Sequence, residues 1–128
     1  MGITILLIDD HPVNLKLASQ VLLAGGHTVI QAEDAEQALA LLEQHAPELV
    51  LTDLALPGMD GLELTRRLKA DARYRHLPVV ALTASAMKGD ETRVLQAGCD
   101  AYISKPIDTR TLASQMTTIL ARHRGSQT

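Results

Sequence analysis

Short apolar runs alternate along this chain with longer stretches in which apolar residues recur at helical spacing. The apolar runs that read as strands are residues 3–8, 28–32, 49–52, 78–82 and 101–104. The stretches of helical period are residues 13–24, 35–45, 62–70, 88–97 and 109–122. Strands that alternate with helices form a parallel sheet covered by helices on both faces. The pattern therefore predicts a doubly wound α/β domain with a five-stranded parallel sheet.

The length of 128 residues is typical of a single domain. We expect residues 1–124 to form it and the polar segment 125–128 to be a disordered tail. The net charge of −3 and the presence of only two aromatic residues disfavour direct nucleic-acid binding. Because the chain has one cysteine and neither a targeting segment nor a membrane span, we expect a cytoplasmic protein without membrane contact.

Charged or hydroxyl residues stand at the ends of four predicted strands: Asp9 and Asp10, Asp53, Thr83 and Lys105. The carboxyl ends of parallel strands meet at one edge of the sheet, which is where ligands bind in this fold class. We therefore expect three carboxylates, a hydroxyl group and an ammonium group to converge there. Taken singly, each has a plainer reading as a helix cap, a strand-end hydroxyl or a surface charge. Their coincidence at the ends of four strands argues against those readings.

The convergent groups suit phosphoryl transfer. Three neighbouring carboxylates repel one another unless a cation offsets their charge. Mg²⁺ is suited to this role because it prefers oxygen ligands and binds through one or two carboxylates plus a phosphate oxygen. Asp53 ends an apolar strand and can attack phosphorus to give an acyl phosphate. Thr83 and Lys105 can bind the phosphoryl oxygens, so the pattern predicts that Asp53 is the acceptor.

Motifs at these strand ends resemble the response-regulator receiver domain of two-component signalling. The matching segments are LIDD at 7–10, LTD at 51–53, LPGMDG at 56–61, ALTA at 81–84 and YISKP at 102–106. The resemblance extends from residue 3 to about residue 120, and segments 10–17 and 84–91 are similar to stand-alone cell-cycle-type receivers and hybrid-kinase receivers. It implies a flavodoxin-like (βα)5 fold with strand order 2-1-3-4-5.

The resemblance also implies the chemistry of the acidic residues. Asp53 is the expected phosphoacceptor. Mg²⁺ is expected on Asp10 and Asp53, with help from Asp9 and from the backbone carbonyl of Ala55. Receivers catalyse both their own phosphorylation and their own dephosphorylation, so the implied activity is that of a weak enzyme used as a switch. Ala55 is small where many relatives carry a larger or polar side chain, and it is expected to flank the route of the water that hydrolyses the phosphoryl group.

The remaining motif residues are expected to carry the signal. Thr83 and Lys105 take the phosphoryl-binding roles of the family, and the peptide bond between Lys105 and Pro106 is expected to be cis. Tyr102 occupies the position of the family's switch aromatic, although a tyrosine there can also simply pack at the sheet edge. The expected output surface comprises the fourth helix, fifth strand and fifth helix around Lys88, Arg93, Tyr102 and Ser104.

The implied partners are a histidine kinase or histidine phosphotransfer protein as phosphodonor and a downstream protein effector. The alternative is a pseudo-receiver, which binds proteins without being phosphorylated. A flavin or nucleotide carrier needs a glycine-rich phosphate-binding loop after the first strand, where this chain has two carboxylates. An aspartyl-phosphate hydrolase needs two aspartates two residues apart at that place and a cap, and the chain lacks this spacing.

Apolar residues cover much of the first predicted helix. At about 100° per residue, Val13, Leu17 and Val21 lie within one stripe that is wide enough to cover the sheet. Leu15 and Leu22 lie outside that stripe. We expect them either to be exposed and contact a helix of the phosphodonor or to pack against the fifth helix.

Overall fold

The computed structural model describes residues 2–83 and 88–126, in which strands and helices alternate. The strands are β1 (Thr4–Ile8), β2 (Thr28–Ala32), β3 (Leu49–Asp53), β4 (Val79–Thr83) and β5 (Ala101–Ser104). The helices are α1 (Pro12–Ala24), α2 (Ala35–Gln44), α3 (Gly61–Ala70), α4 (Lys88–Gln96) and α5 (Leu112–Ser126). All strand pairs are parallel and the order is β2-β1-β3-β4-β5, which confirms the predicted α/β fold.

Two apolar clusters cover the two faces of the sheet because side chains alternate along each strand. The cluster under α2, α3 and α4, here called the α2–α4 core, includes Leu6, Ile8, Val50, Val79, Ala81, Leu42, Leu64, Leu68 and Val94. The cluster under α1 and α5, here called the α1–α5 core, includes Ile5, Leu7, Leu51, Val80, Leu82, Leu15, Leu22, Leu112 and Met116. Strands β3 and β4 are buried throughout, as central parallel strands should be. The carboxyl ends of these strands are thereby held rigidly at one edge.

Helix α1 turns a different face to the core from the one that the apolar pattern indicated. Leu15 and Leu22, considered for an exposed edge, are 7% and 0% exposed and belong to the α1–α5 core. Val13 and Leu17 are instead 78% and 44% exposed. The buried face also contains Ser19, whose hydroxyl is bonded by a glutamine of β2. A polar residue on the core-facing side made the opposite stripe look more apolar. Of the two alternatives given for Leu15 and Leu22, packing against the fifth helix is the one observed, and exposure is wrong.

Helix α5 begins later and ends later than its sequence pattern indicates. Residues 108–111 form a turn in which the Asp108 carbonyl accepts hydrogen bonds from Thr111 and Leu112, and this delays the helix start. At the other end the helix includes Gly125 and Ser126. The predicted tail is therefore helical in its first two residues, while residues 127–128 lie outside the described part of the chain. Among the described helices, none has the length and hydropathy to span a membrane.

Cys99 lies between α4 and β5 and is 5% exposed within the α2–α4 core. Its sulfur is 3.5 Å from the Thr65 hydroxyl of α3, which itself donates to the Gly61 carbonyl at 2.8 Å. Burial raises the pKa of the thiol, and the hydrogen bond with Thr65 opposes this rise without cancelling it. The thiol is therefore a protonated packing group at neutral pH.

His27 links the start of β1 to α5. Its ring is 5% exposed, and the Ile3 N–H donates to Nδ1 at 3.1 Å. Since Nδ1 accepts a hydrogen bond, the ring proton is on Nε2, which donates to the Ala113 carbonyl at 2.9 Å. The imidazole thus joins two segments that the sheet itself does not connect.

We expect His27→Leu to lower the free energy of unfolding by about 2 kcal/mol, because the buried Ile3 N–H loses its acceptor. The measurement is urea unfolding followed by far-ultraviolet circular dichroism. His45→Leu is the control, since His45 is exposed at the end of α2 and its change should cost less than about 0.5 kcal/mol. Equal destabilisation of the two variants would show that His27 does not join β1 to α5.

Candidate functional site

Three aspartates meet at the carboxyl edge of the sheet. Asp9 and Asp10 follow β1, and Asp53 ends the neighbouring strand β3, in which Thr52 pairs with Ile8. Asp9 is 2% exposed and Asp53 is 4% exposed. Ligand atoms of these three residues and of His11 all lie within 4.8 Å of one another. The strand register therefore brings the predicted carboxylates together, and the turn after Asp10 adds a histidine that had been given no role.

Lys105 reaches this acidic cluster from the loop after β5. Its Nζ donates to Asp53 Oδ2 at 2.8 Å and lies 3.6 Å from Asp9 Oδ2. Burial alone would lower the pKa of Lys105, but the hydrogen bond and charge of Asp53 and the charge of Asp9 raise it overall. The group therefore stays an ammonium ion at neutral pH. The Lys105–Pro106 peptide bond is cis, and the Lys105 N–H donates to the Thr83 carbonyl at 2.7 Å.

The backbone around Asp53 is fixed by local contacts. The Ala55 N–H donates to Asp53 Oδ1 at 3.0 Å, and the Thr52 hydroxyl donates to the Asp53 carbonyl at 2.9 Å. Gly61, the first residue of α3, donates its N–H to the Leu54 carbonyl at 3.0 Å. A Cβ atom at Gly61 would lie 2.5 Å from the Asp53 carbonyl oxygen. Only glycine allows α3 to begin this close to the strand end, a requirement that sequence reasoning missed.

Thr83 and Tyr102 lie on the same face of the sheet. Thr83 ends β4, is 6% exposed and pairs with Ser104 of β5. Tyr102 pairs with Ala81 and is half-buried against the α2–α4 core. Because side chains alternate along strands, residues two apart on β4 and β5 share this face. Of the predicted output surface, Arg93 and Ser104 are exposed, while the Lys88 side chain is outside the described part of the structure.

The acidic cluster fits a divalent cation. Asp10 Oδ1 is shielded from solvent and has no hydrogen-bond partner. A buried carboxylate oxygen without a donor is costly, and two further carboxylates beside it increase the negative charge. Oxygen donors of this kind are those that Mg²⁺ and similar ions prefer. Asp9, Asp10 and Asp53 can therefore hold a metal ion.

A cleft of about 330 Å³ opens from the acidic cluster between α1 and the loop after β5. Asp9 and Lys105 lie at one end of the cleft, and most of the remaining wall is apolar. Leu17, Pro106 and Ile107 contribute to that wall. The buried reactive groups are thus reached past an apolar surface.

Comparison with known proteins identifies relatives over nearly the whole chain. The family profile "response regulator receiver domain" matches residues 5–117. The polar-differentiation response regulator DivK of Brucella anthropi is 46% identical over 104 residues, which cover 81% of this chain and 85% of DivK. DivK of Brucella ovis has the same identity and coverage.

Solved structures show the same fold. The receiver domain of a signal transduction histidine kinase from Syntrophus aciditrophicus has a TM-score of 0.86 and 30% identity over 94% of this chain and 92% of its own. A CheY-like receiver domain protein from Methanospirillum hungatei JF-1 has a TM-score of 0.86 and 29% identity, with coverage of 98% and 99%. The resemblance drawn from the motifs is confirmed, and the chain belongs to the response regulator receiver domain family of two-component signalling.

Proposed function

We propose that this receiver accepts a phosphoryl group on Asp53 from a phosphohistidine of a histidine kinase or histidine phosphotransfer protein. The observation that carries the proposal is the pairing of a nearly buried Asp53 carboxylate with the Lys105 ammonium at 2.8 Å, beside Asp9 and Asp10. This pairing places the nucleophilic carboxylate next to a positive charge that can stabilise phosphoryl oxygens. Since histidine kinases obtain their phosphoryl group from ATP, we place the phosphoryl transfer in the cytoplasm.

In the proposed reaction an oxygen of Asp53 attacks phosphorus, a P–O bond forms and the P–N bond to the donor imidazole breaks. Phosphoryl transfer depends mainly on positioning and on stabilisation of the phosphoryl oxygens. The Lys105 ammonium group can exchange its hydrogen bond to the Asp53 carboxylate for one to a phosphoryl oxygen. The Thr83 hydroxyl can donate a hydrogen bond to another phosphoryl oxygen. Mg²⁺ on Asp10 and Asp53, assisted by Asp9 and the Ala55 carbonyl, would neutralise charge on the carboxylates and on the phosphoryl group. Water attack at the same site would later return the domain to its resting state.

Incubation with acetyl phosphate and Mg²⁺, followed by mass spectrometric mapping, tests the proposal. We expect one phosphoryl group, located on Asp53, and its loss when a chelator replaces Mg²⁺. The pseudo-receiver alternative would be favoured if the folded protein stays unlabelled both with acetyl phosphate and with a phosphorylated histidine phosphotransfer protein.

The exposed apolar side of α1 supports docking of the protein phosphodonor next to Asp53. Val13 is 78% exposed, and Leu17, which is 44% exposed, lines the cleft that leads to Asp9 and Lys105. These residues replace Leu15 and Leu22 as the proposed contact. An apolar surface beside the nucleophile suits a helix that carries the reactive histidine on its own apolar face.

We expect Leu17→Ser to slow phosphorylation by a histidine phosphotransfer protein about tenfold, since loss of one apolar contact costs roughly 1–2 kcal/mol of binding. Phosphorylation by acetyl phosphate should not change. Stopped-flow or quenched-flow rates with both donors provide the measurement. Leu23→Ser is the matched control, because Leu23 is 54% exposed near the other end of α1. Equal slowing by Leu17→Ser and Leu23→Ser would exclude a specific contact at the cleft.

We further propose that Thr83 and Tyr102 transmit phosphorylation to the effector-binding surface. Movement of Thr83 toward the phosphoryl group would free space on the face that it shares with Tyr102 and shift the ring inward. The effector would then bind the surface formed by α4, β5 and α5.

We expect phosphorylation to shift the NMR resonances of Tyr102 and of the described part of α4 in the wild type. In Thr83→Ala these shifts should be largely lost even when Asp53 is phosphorylated, because the moving hydroxyl is absent. Spectra of both proteins with and without acetyl phosphate make the comparison. Unchanged Tyr102 resonances in fully phosphorylated wild type would contradict the proposed switch.

A further inference from the structure

His11 is a fourth group of the acidic cluster to which the receiver motifs assign no role. It lies between Asp10 and Pro12, directly before α1. Its backbone N–H donates to Asp9 Oδ1 at 2.9 Å, so the chain turns over the Asp9 carboxylate. This turn brings the ring Nδ1 to 3.5 Å from Asp9 Oδ1 and 3.2 Å from Asp10 Oδ1. The imidazole therefore lies against the metal-binding carboxylates.

The contact between His11 and Asp10 is close in distance but is not a hydrogen bond. Asp10 Oδ1 has no hydrogen-bond partner although His11 Nδ1 is 3.2 Å away. Two ligands of one metal ion approach each other in this way, because both direct their lone pairs at the ion and not at each other.

The spacing of these atoms is that of metal ligands. Adjacent ligands of an octahedral ion with bonds of about 2.1 Å lie about 3 Å apart. His11 Nδ1 is 3.2 Å from Asp10 Oδ1, and only small adjustments are needed to reach that value. The ring is largely exposed, with 64% of its side-chain surface accessible, and it makes no capping hydrogen bond to α1. It is therefore free of packing that would resist such an adjustment.

We propose that His11 Nδ1 is a ligand of the receiver's metal site and that it makes the site prefer imidazole-binding first-row ions such as Ni²⁺ and Zn²⁺ over Mg²⁺. This inference rests on the proposed function, because it uses the carboxylates assigned to Mg²⁺ there. Mg²⁺ strongly prefers oxygen ligands, whereas imidazole is a good ligand for later divalent ions. A nitrogen ligand added to an all-oxygen set therefore shifts the selectivity rather than only the affinity.

The test compares Mg²⁺, Mn²⁺ and Ni²⁺ binding by isothermal titration calorimetry in wild type, His11→Asn and His45→Asn. Asparagine is a favoured residue before a helix, so His11→Asn should fold. We expect His11→Asn to weaken Ni²⁺ binding about tenfold or more, the scale on which metal sites respond to loss of a partner group. Mn²⁺ binding should weaken less, because Mn²⁺ also prefers oxygen ligands. Binding of Mg²⁺ should change by less than about threefold, because its oxygen ligands remain. His45→Asn removes an exposed histidine outside the cluster and should leave all three affinities unchanged.

The ring resonances of His11 provide a readout that does not depend on affinity. Zn²⁺, which is diamagnetic, should shift the Nδ1 resonance of His11 in the wild type, and Mg²⁺ should shift it less. An equal loss of affinity for all metals in His11→Asn would overturn the proposal. Tighter binding of Mg²⁺ and Ni²⁺ alike by His11→Asn would also overturn it, since His11 would then hinder metal binding.

Failure of this inference is distinguishable from failure of the proposed function. If Asp53 is labelled with Mg²⁺ while His11→Asn leaves metal selectivity unchanged, the phosphorylation proposal stands and His11 is not a ligand. If wild type binds none of the metals and Asp53 is not labelled, both proposals fail.

Discussion

Asp53→Asn is expected to abolish phosphorylation by both acetyl phosphate and a protein phosphodonor. An amide is a far weaker nucleophile than a carboxylate and cannot form the acyl phosphate. The fold should persist, because asparagine has nearly the same shape and can still accept the Ala55 N–H bond that Asp53 Oδ1 accepts at 3.0 Å. Intact mass spectrometry measures labelling, and circular dichroism reports the fold.

Asp60→Asn is the matched control for this substitution. Asp60 lies in the same loop, and its side chain accepts the Glu63 N–H at 2.8 Å as the N-cap of α3. Asparagine caps helices about as well as aspartate, so labelling and stability should stay near those of wild type. A phosphoryl group that persists on another residue of Asp53→Asn would overturn the assignment of the acceptor.

Gly61→Ala is expected to destabilise the domain by about 3 kcal/mol and to slow phosphorylation of Asp53. The new Cβ would lie 2.5 Å from the Asp53 carbonyl oxygen and 2.9 Å from Leu54 Cα. Both atoms belong to the backbone, which cannot give way as a flexible side chain can. Either α3 or the end of β3 must move, and Asp53 moves with β3. Urea unfolding and the rate of labelling by acetyl phosphate measure the two effects.

Gly125→Ala separates this steric effect from the general effect of replacing glycine. A Cβ atom at Gly125 meets no atom within 4 Å, and the residue lies in α5. Alanine should therefore leave the domain unchanged or stabilise it by up to about 1 kcal/mol. A Gly61→Ala variant with wild-type stability and labelling rate would show that the close approach of α3 to β3 does not position Asp53.

The sheet and the meeting of its terminal residues could be predicted from the sequence because both follow from local pattern. Apolar runs identified the strands, with β2 and β5 at the bounds that the structure gives them. Parallel strands necessarily place their carboxyl ends together, so Asp9, Asp53 and Lys105 were predicted to meet before any geometry was known. Residues that are distant in the sequence could thus be assigned to one site, because the alternation of strands and helices specifies a parallel sheet.

Features that depend on how a helix packs against its neighbours, or on how a loop turns, could not be predicted. The buried face of α1 was misassigned because that helix is apolar on two sides, and the choice between them depends on contacts with α5. The need for glycine at position 61 depends on how closely α3 approaches β3. The contact of the His11 ring with the Asp9 and Asp10 carboxylates depends on a loop turn of which the sequence carries no periodic signal. Each of these is set by tertiary geometry rather than by residue spacing.

The single buried thiol gives the chain an internal reporter of local opening. The protein has no tryptophan, whereas Cys99 is its only cysteine; it follows α4, and its sulfur contacts Thr65 of α3. A buried thiol with a raised pKa reacts with an aqueous disulfide reagent only when its surroundings open. The rate at which this one sulfur reacts therefore measures how often α3 and α4 separate, and no engineered label is needed. The reaction rate can be measured before and after treatment with a phosphodonor. Cys99, which otherwise only packs in the core, thus reports the frequency of local opening around α3 and α4.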